Sequence, residues 1–85
     1  MNKRILVIDD EKHIGMVLKK ALEKKEYVVH TARSAEEALK MINRNEYLLI
    51  FSDIFMGGMS GLELLDQVRI LENPPKIVIM TAQNT

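Results

Sequence analysis

The chain has 85 residues, which is enough for one small domain. Its 12 basic residues balance its 12 acidic residues, so the net charge gives no reason to expect direct nucleic-acid or membrane binding. The absence of Cys excludes disulfides, thiol catalysis and zinc–thiolate sites in these residues. The first apolar run, residues 5–8, is too short for a signal peptide or a membrane span. We therefore expect a cytoplasmic protein.

The first half of the chain predicts strands that alternate with helices. Residues 4–9 are an apolar run typical of a buried parallel strand, and residues 27–31 are rich in strand-forming side chains. A helix lies between them, and Ser34 with Glu37 forms a capping box that opens a second helix. The spacing predicts buried faces made of Ile14, Val17, Leu18, Ala21 and Leu22 in the first helix and of Ala35, Ala38, Leu39 and Ile42 in the second, which residues 43–45 end.

The second half repeats the alternation. Residues 47–52 predict a third strand, and Ser60 with Glu63 forms another capping box before a third helix. Two prolines in residues 73–75 end that helix, and residues 76–80 predict a fourth strand. The predicted inward face of the third helix is Leu62, Leu65, Val68 and Leu71.

The order βαβαβαβ indicates an α/β fold, a doubly wound parallel sheet with right-handed crossovers and helices on both faces. In a flavodoxin-like sheet the strand order is 2-1-3-4, and ligands bind where the order reverses, between the first and third strands. The sequence ends at Thr85, soon after the fourth strand, so we expect an incomplete sheet. Its open edge is a predicted site of homodimerisation.

Acidic and hydroxyl side chains follow three of the predicted strands. Asp9 and Asp10 follow the first, Asp53 follows the third and Thr81 follows the fourth. Any one Asp is readily explained as a helix cap, but the combination at three strand ends is not. Crowded carboxylates repel one another unless a cation neutralises them, and hard oxygen ligands suit Mg²⁺ or Mn²⁺. A carboxylate at such a site can attack phosphorus and form an aspartyl phosphate.

These motifs resemble the receiver domain of two-component response regulators, a CheY-like domain. The resemblance covers the whole chain and rests on residues 8–11, residues 53–56 followed by residues 58–61, and residues 81–82. It implies that residues 1–85 are the N-terminal portion of a receiver domain, with the last helix, strand and helix of that fold absent after the fourth strand. The family's phosphoryl-pairing Lys, its aromatic switch and its usual output face would belong to that absent part.

The resemblance also implies a role for each site residue. Asp53 would accept a phosphoryl group from the His of a sensor histidine kinase or phosphotransfer protein. Asp10 would bind Mg²⁺ directly and Asp9 mainly through water, with Asp53 and the backbone carbonyl of Phe55 as further ligands. The Thr81 hydroxyl would hydrogen-bond the new phosphoryl group. The chain would then be a phosphoacceptor rather than an enzyme, with at most slow self-phosphorylation from small donors and self-dephosphorylation.

The resemblance extends to partners and output. In receivers the first helix commonly contacts the kinase, so Ile14, Gly15 and Leu18 are candidate contacts. The full-length parent would control transcription, although this segment has neither a recognition helix nor a basic stripe for nucleic acid. One departure from the family is Gly57, which stands where receivers usually have Pro and makes that loop less restricted.

Two alternatives from other functional classes remain open. The chain could act only as an oligomerising or interaction module, without phosphotransfer, because part of the fold is absent. It could also be a Mg²⁺-dependent phosphohydrolase with an aspartyl nucleophile. Such enzymes usually carry a second acid two residues after the nucleophile. Phe55 holds that position after Asp53, whereas Glu11 holds it after Asp9.

Overall fold

A computed structural model describes residues 3–9, 12–53 and 61–80. Four strands and three helices alternate in the predicted order within these ranges. In the described part of the chain, no helix is both long enough and apolar enough to cross a membrane. The strands are β1 (Arg4–Ile8), β2 (Val28–Ala32), β3 (Leu49–Asp53) and β4 (Lys76–Met80), and the helices are α1 (Lys12–Glu23), α2 (Ala35–Arg44) and α3 (Gly61–Arg69).

The strands form one parallel sheet in the order β2-β1-β3-β4, as predicted. β1 lies inside the sheet and pairs with β2 on one side and β3 on the other. Leu6, at its centre, is level with both His30 and Ile50. Because every strand runs in the same direction, all four carboxyl ends lie along one edge of the sheet, which we call the carboxyl edge.

Helices cover both faces of β1, and its side chains alternate between two apolar clusters. Ile5 and Val7 pack with Val29 on the α1 face, where Leu18 and Leu22 lie against them. Leu6, Ile8 and Ile50 pack under α2 and α3 on the other face, together with Ala35, Ala38, Ile42, Leu64 and Val68. Each residue of β1 from Ile5 to Ile8 is at most 2% exposed. The unbroken apolar run of β1 therefore reflects burial on two sides.

The predicted boundaries of α2 are confirmed. The Ser34 side chain accepts a hydrogen bond of 3.1 Å from the backbone N–H of Glu37, as the first capping box requires. Asn45 closes the helix, and its side-chain amide donates to the carbonyl of Met41 at 3.2 Å. The predicted inward face is also confirmed, since Ala35, Ala38 and Ile42 are buried and Leu39 packs against the same cluster. The second capping box begins at Ser60, which lies outside the described residues.

The predicted inward face of α1 is wrong in part. Val17 is 68% exposed and Ala21 is exposed. Gly15 is buried instead, and Leu18 and Leu22 pack against the sheet. The face that contacts the sheet therefore follows the spacing i, i+3, i+7. The sequence pattern offered two overlapping apolar faces, and the position of β1 and β2 selects one of them.

A similar correction applies to α3. Leu62, predicted to point inward, is 53% exposed, while Leu64 is completely buried. Leu64 and Val68 form the inward face at i and i+4, with Leu71 packed against the same cluster. Leu65 is only partly buried. Three leucines within four residues allow more than one helical face, and the sheet decides between them.

Tyr47 explains why β3 begins later than predicted. The prediction was residues 47–52, but β3 spans Leu49–Asp53. Tyr47 precedes the strand and is buried, with its hydroxyl joined to Nδ1 of His30 by a hydrogen bond of 2.7 Å. Burial raises the pKa of Tyr47 above its usual value, and the Arg4 charge and an Asn45 hydrogen bond only partly offset this. The predicted ends of the first two strands differ from the observed ends by one residue.

A non-glycine residue in the left-handed region ends α1. Glu26 has φ 69°. The backbone N–H of Tyr27 donates to the carbonyl of Leu22 at 3.2 Å, and that of Glu26 donates to the carbonyl of Glu23 at 3.0 Å. This is the bonding pattern of a Schellman motif, in which glycine is favoured at the Glu26 position because a Cβ is strained there.

We predict that Glu26→Gly stabilises the protein by about 0.5–1 kcal/mol, because relief of the strain outweighs the added freedom of the unfolded chain. The matched control is Glu23→Gly, the same change at the last residue of α1, where φ is not positive, and it should destabilise by about 0.5 kcal/mol. Urea unfolding followed by circular dichroism measures both. A Glu26→Gly variant less stable than the wild type would contradict the assignment.

We also predict that Tyr47 makes stability fall at alkaline pH. Its raised pKa means that the folded state favours the neutral phenol. The stabilisation of the fold by the neutral phenol is fully present below the unfolded-state pKa of about 10. It is lost as the pH rises through the folded-state pKa. Tyr47→Phe should be less stable at neutral pH but lose less stability between about pH 9 and pH 11. Urea midpoints at both pH values test this, and equal losses in the two proteins would refute it.

Candidate functional site

Asp9 lies at the carboxyl edge, directly after β1. It is only 6% exposed. Its backbone N–H donates to the carbonyl of Ala32 at 3.0 Å, so the β1–β2 hydrogen bonding continues past the last residue of β1. Asp9 is therefore held by the same ladder that holds β1, although it sits outside the strand.

Asp53 is the last residue of β3, the other neighbour of β1. Ile8 pairs with Ser52, so Asp9 and Asp53 are the next residues on two adjacent parallel strands. Backbones of adjacent strands lie about 4.8 Å apart. The structure thus brings the backbone positions of these two acids together at the carboxyl edge, where the sequence analysis expected the acids of the first and third strands to meet.

The fourth strand ends at the same level. Asp53 pairs with Met80, the residue immediately before Thr81. Thr81 itself lies outside the described residues, as do Asp10, Phe55 and the side chain of Asp53. The roles expected for these residues stay predictions.

The donor chemistry of the described part of the edge fits a hard cation. Asp9 contributes a buried carboxylate beside the end of β3, and oxygen donors of this kind are those that Mg²⁺ prefers. Among the side chains that the structure describes, no three His, Cys, Asp or Glu residues lie close enough to hold a metal ion. Asp10 and the Asp53 carboxylate are not in that set.

The candidate kinase contacts on α1 differ in their exposure. Gly15 is buried and Leu18 is half-buried against the sheet, while the side chain of Ile14 lies outside the described residues. The neighbouring Met16 and Val17 are 54% and 68% exposed and form part of the outer surface of this helix. The kinase contacts themselves stay a prediction.

A cavity of about 230 Å³, which sequence reasoning did not predict, opens beside Asp9 on the α1 face. Its walls include Gly15 from α1, Thr31 near the end of β2 and Arg33 directly after β2. The only feature of the sequence that could have indicated this cavity is Gly15, an isolated glycine within a helical pattern. A larger cavity, of about 540 Å³, lies between the ends of α2 and α3 at the opposite edge of the sheet and does not involve Asp9.

Comparison with known proteins agrees with this architecture. A family model described as the response regulator receiver domain matches residues 5–85. The transcriptional regulatory protein YvrH of Bacillus subtilis is 41% identical over 99% of this chain, which spans 35% of YvrH. The sporulation initiation phosphotransferase F of the same organism is 29% identical over 96% of this chain and 66% of its own length.

Solved structures show the same likeness. The response regulator TrrA of Thermotoga maritima, crystallised in complex with Mg²⁺-BeF, superposes with a TM-score of 0.88 and 43% identity over 95% of this chain and 70% of its own chain. The present chain thus spans about a third of the transcriptional regulator YvrH and about two thirds of the shorter relatives. The described residues form four parallel strands in the order 2-1-3-4, which match part of the CheY-like flavodoxin fold. The chain belongs to the response regulator receiver domain family.

Proposed function

We propose that this chain is a phospho-accepting signalling domain in which Asp53 receives a phosphoryl group from a sensor histidine kinase or phosphotransfer protein. The observation that carries the proposal is the register of β1 against β3, which makes Asp9 and Asp53 adjacent at the carboxyl edge of a receiver fold. The likeness to a phosphotransferase and to a response regulator crystallised with Mg²⁺-BeF supports the same function.

In the proposed step, a carboxylate oxygen of Asp53 attacks the phosphorus of a phosphohistidine. The new P–O bond forms as the P–N bond breaks, and the released imidazole takes a proton from water. Asp9 and Asp10, with Asp53 and the Phe55 carbonyl, would hold Mg²⁺ or Mn²⁺. The bound ion would supply positive charge that offsets the repulsion between the carboxylate and the phosphoryl oxygens. The Thr81 hydroxyl would donate a hydrogen bond to a phosphoryl oxygen.

The proposal describes a phosphoacceptor rather than a turnover enzyme. The chain would at most phosphorylate itself slowly from small donors and lose the phosphoryl group slowly by hydrolysis. Because transcriptional regulators are among the relatives and are much longer, we propose that the full-length parent is a cytoplasmic transcriptional regulator. The receiver segment would respond to the kinase without contacting nucleic acid.

We predict that incubation with acetyl phosphate and Mg²⁺ adds one phosphoryl group to Asp53, seen by intact-mass measurement. The adduct should be labile to hydroxylamine, as expected of an acyl phosphate, and its yield should be low. Asp53→Ala should abolish it. Asp66→Ala, which removes an exposed carboxylate from α3, is the matched control and should label like the wild type.

Equal labelling of Asp53→Ala and the wild type would contradict the assignment of the phosphoacceptor. The same proteins also address the phosphohydrolase alternative. Steady turnover of a phosphate ester that is abolished by Asp9→Asn but retained by Asp53→Asn would favour an enzyme with its nucleophile at Asp9.

Self-association through the β4 side of the sheet is a second candidate function. β4 is an outer strand of the described sheet, and Val78 on it is 41% exposed although it pairs with Phe51 in the interior strand β3. A second copy of the chain placed here would cover this apolar side chain.

We predict that the chain forms a dimer at high concentration and that Val78→Lys shifts it to the monomer, because an edge lysine opposes strand-edge association. Val28→Lys on β2, the outer strand on the other side, is the matched control and should leave the dimer intact. Size-exclusion chromatography with light scattering measures the mass. A wild-type monomer at every concentration would exclude this mode.

A further inference from the structure

Gly15 occupies a position in α1 where a glycine is unfavourable. Glycine inside a helix costs about 0.5–1 kcal/mol relative to alanine. Close packing does not demand it, because a Cβ added at Gly15 would meet only Cγ1 of Val7, at an ordinary contact distance of 3.9 Å. The position therefore has room for a small side chain, although the sequence has glycine there.

The space left by Gly15 is part of the cavity of about 230 Å³ beside Asp9. Val7 from β1, Gly15 from α1 and Ala32 from β2 form an apolar floor, and the half-exposed Met16 borders it. An engineered apolar cavity of about 150 Å³ is sufficient to bind benzene. The cavity can therefore hold one small ring or a short aliphatic chain.

Polar residues at or just after the ends of β2 and β1 also line the cavity. Thr31 and Arg33 line the cavity, and both are exposed. The Arg33 guanidinium presents a fork of N–H donors that matches the two oxygens of a carboxylate. Asp9 borders the same cavity with a negative charge. A ligand with one anionic end can bind here if its anionic group lies next to Arg33 and away from the Asp9 carboxylate.

We propose that this cavity binds a small monocarboxylate with an apolar body. The apolar part would lie over Val7 and Gly15, and the carboxylate would accept hydrogen bonds from Arg33 and Thr31. The charge of Asp9 opposes such a ligand. If Mg²⁺ binds at Asp9, as the proposed function holds, the ion offsets that charge, and the ligand and Mg²⁺ strengthen each other's binding to the same extent.

The first test is an NMR titration of the whole chain, without Mg²⁺, by three probes of similar size: benzoate, benzyl alcohol and benzylamine. Benzoate should shift the amide signals of Val7, Gly15, Ala32 and Arg33 and bind more tightly than the other two. Shifts confined to other surfaces, or tighter binding of benzylamine, would overturn the proposal.

The second test uses variants of the cavity. Arg33→Gln should weaken benzoate binding by about tenfold or more, as expected for loss of one charge-assisted hydrogen bond, and leave benzyl alcohol unchanged. Arg44→Gln, which removes another exposed arginine at the far end of α2, is the matched control and should bind benzoate like the wild type. Gly15→Leu should remove binding of both probes by filling the cavity. Benzoate affinity unchanged in Arg33→Gln would overturn the proposal even if Gly15→Leu fails to fold.

The third test repeats the benzoate titration with Mg²⁺ at constant ionic strength. Tighter binding supports the coupling, and unchanged affinity in the presence of bound Mg²⁺ overturns it. A chain that binds benzoate but no Mg²⁺ would refute the proposed function and leave the cavity assignment standing, so the two failures are distinguishable.

Discussion

The position of β1 between β2 and β3 is the constraint on which the rest of the structure depends. Residues Ile5 to Ile8 are at most 2% exposed and pack on both faces of the sheet. Each such side chain stabilises the fold by about 1.5–3 kcal/mol when fully buried. A slip of one residue would exchange the side chains of the two faces, so the packing of β1 specifies its register against both neighbours at once.

The geometry of the carboxyl edge follows from that register. Asp9 comes directly after β1, the most buried strand. Its backbone N–H donates to the carbonyl of Ala32, so the β1–β2 hydrogen bonding extends one residue beyond β1. Asp53 ends the adjacent strand at the same level. A charged group held by core packing needs little reorganisation when it binds an ion, and this property suits the metal site that we propose for this edge.

The same packing creates the cavity beside Asp9. α1 lies over β1 and β2, and at the level of Val7 it presents Gly15 rather than a side chain. The cavity and the acidic edge therefore share one wall, which is the last part of β1. A ligand in the cavity would act on the edge through Asp9 directly, without any conformational change elsewhere in the sheet.

Features that depend on neighbouring residues in the chain could be predicted from the sequence. The Ser34 cap and the end of α2 need only residues within one helical turn, and the burial of β1 is evident from its unbroken apolar run. The convergence of the strand ends could be predicted because the parallel order of the sheet implies it.

Features that depend on distant partners could not be predicted in this way. Val17 and Leu62 belong to apolar stretches with more than one helical face, and only the sheet selects between the faces. Tyr47 has a strand-like sequence context, but its hydroxyl partner, His30, lies 17 residues away. The cavity at Gly15 exists because of what lies opposite the glycine, and helical periodicity contains no information about that.

The proposed function requires the carboxyl ends of β1 and β3 to form one metal site. The most direct measurement is the paramagnetic broadening of backbone amide signals when Mn²⁺ is added to the whole chain at substoichiometric concentration. We predict that the signals of Asp9, Ser52 and Asp53 broaden first and that those of Arg4 and Leu49, at the other ends of the same strands, stay sharp. Broadening centred on the opposite edge, or spread evenly over the surface, would contradict it.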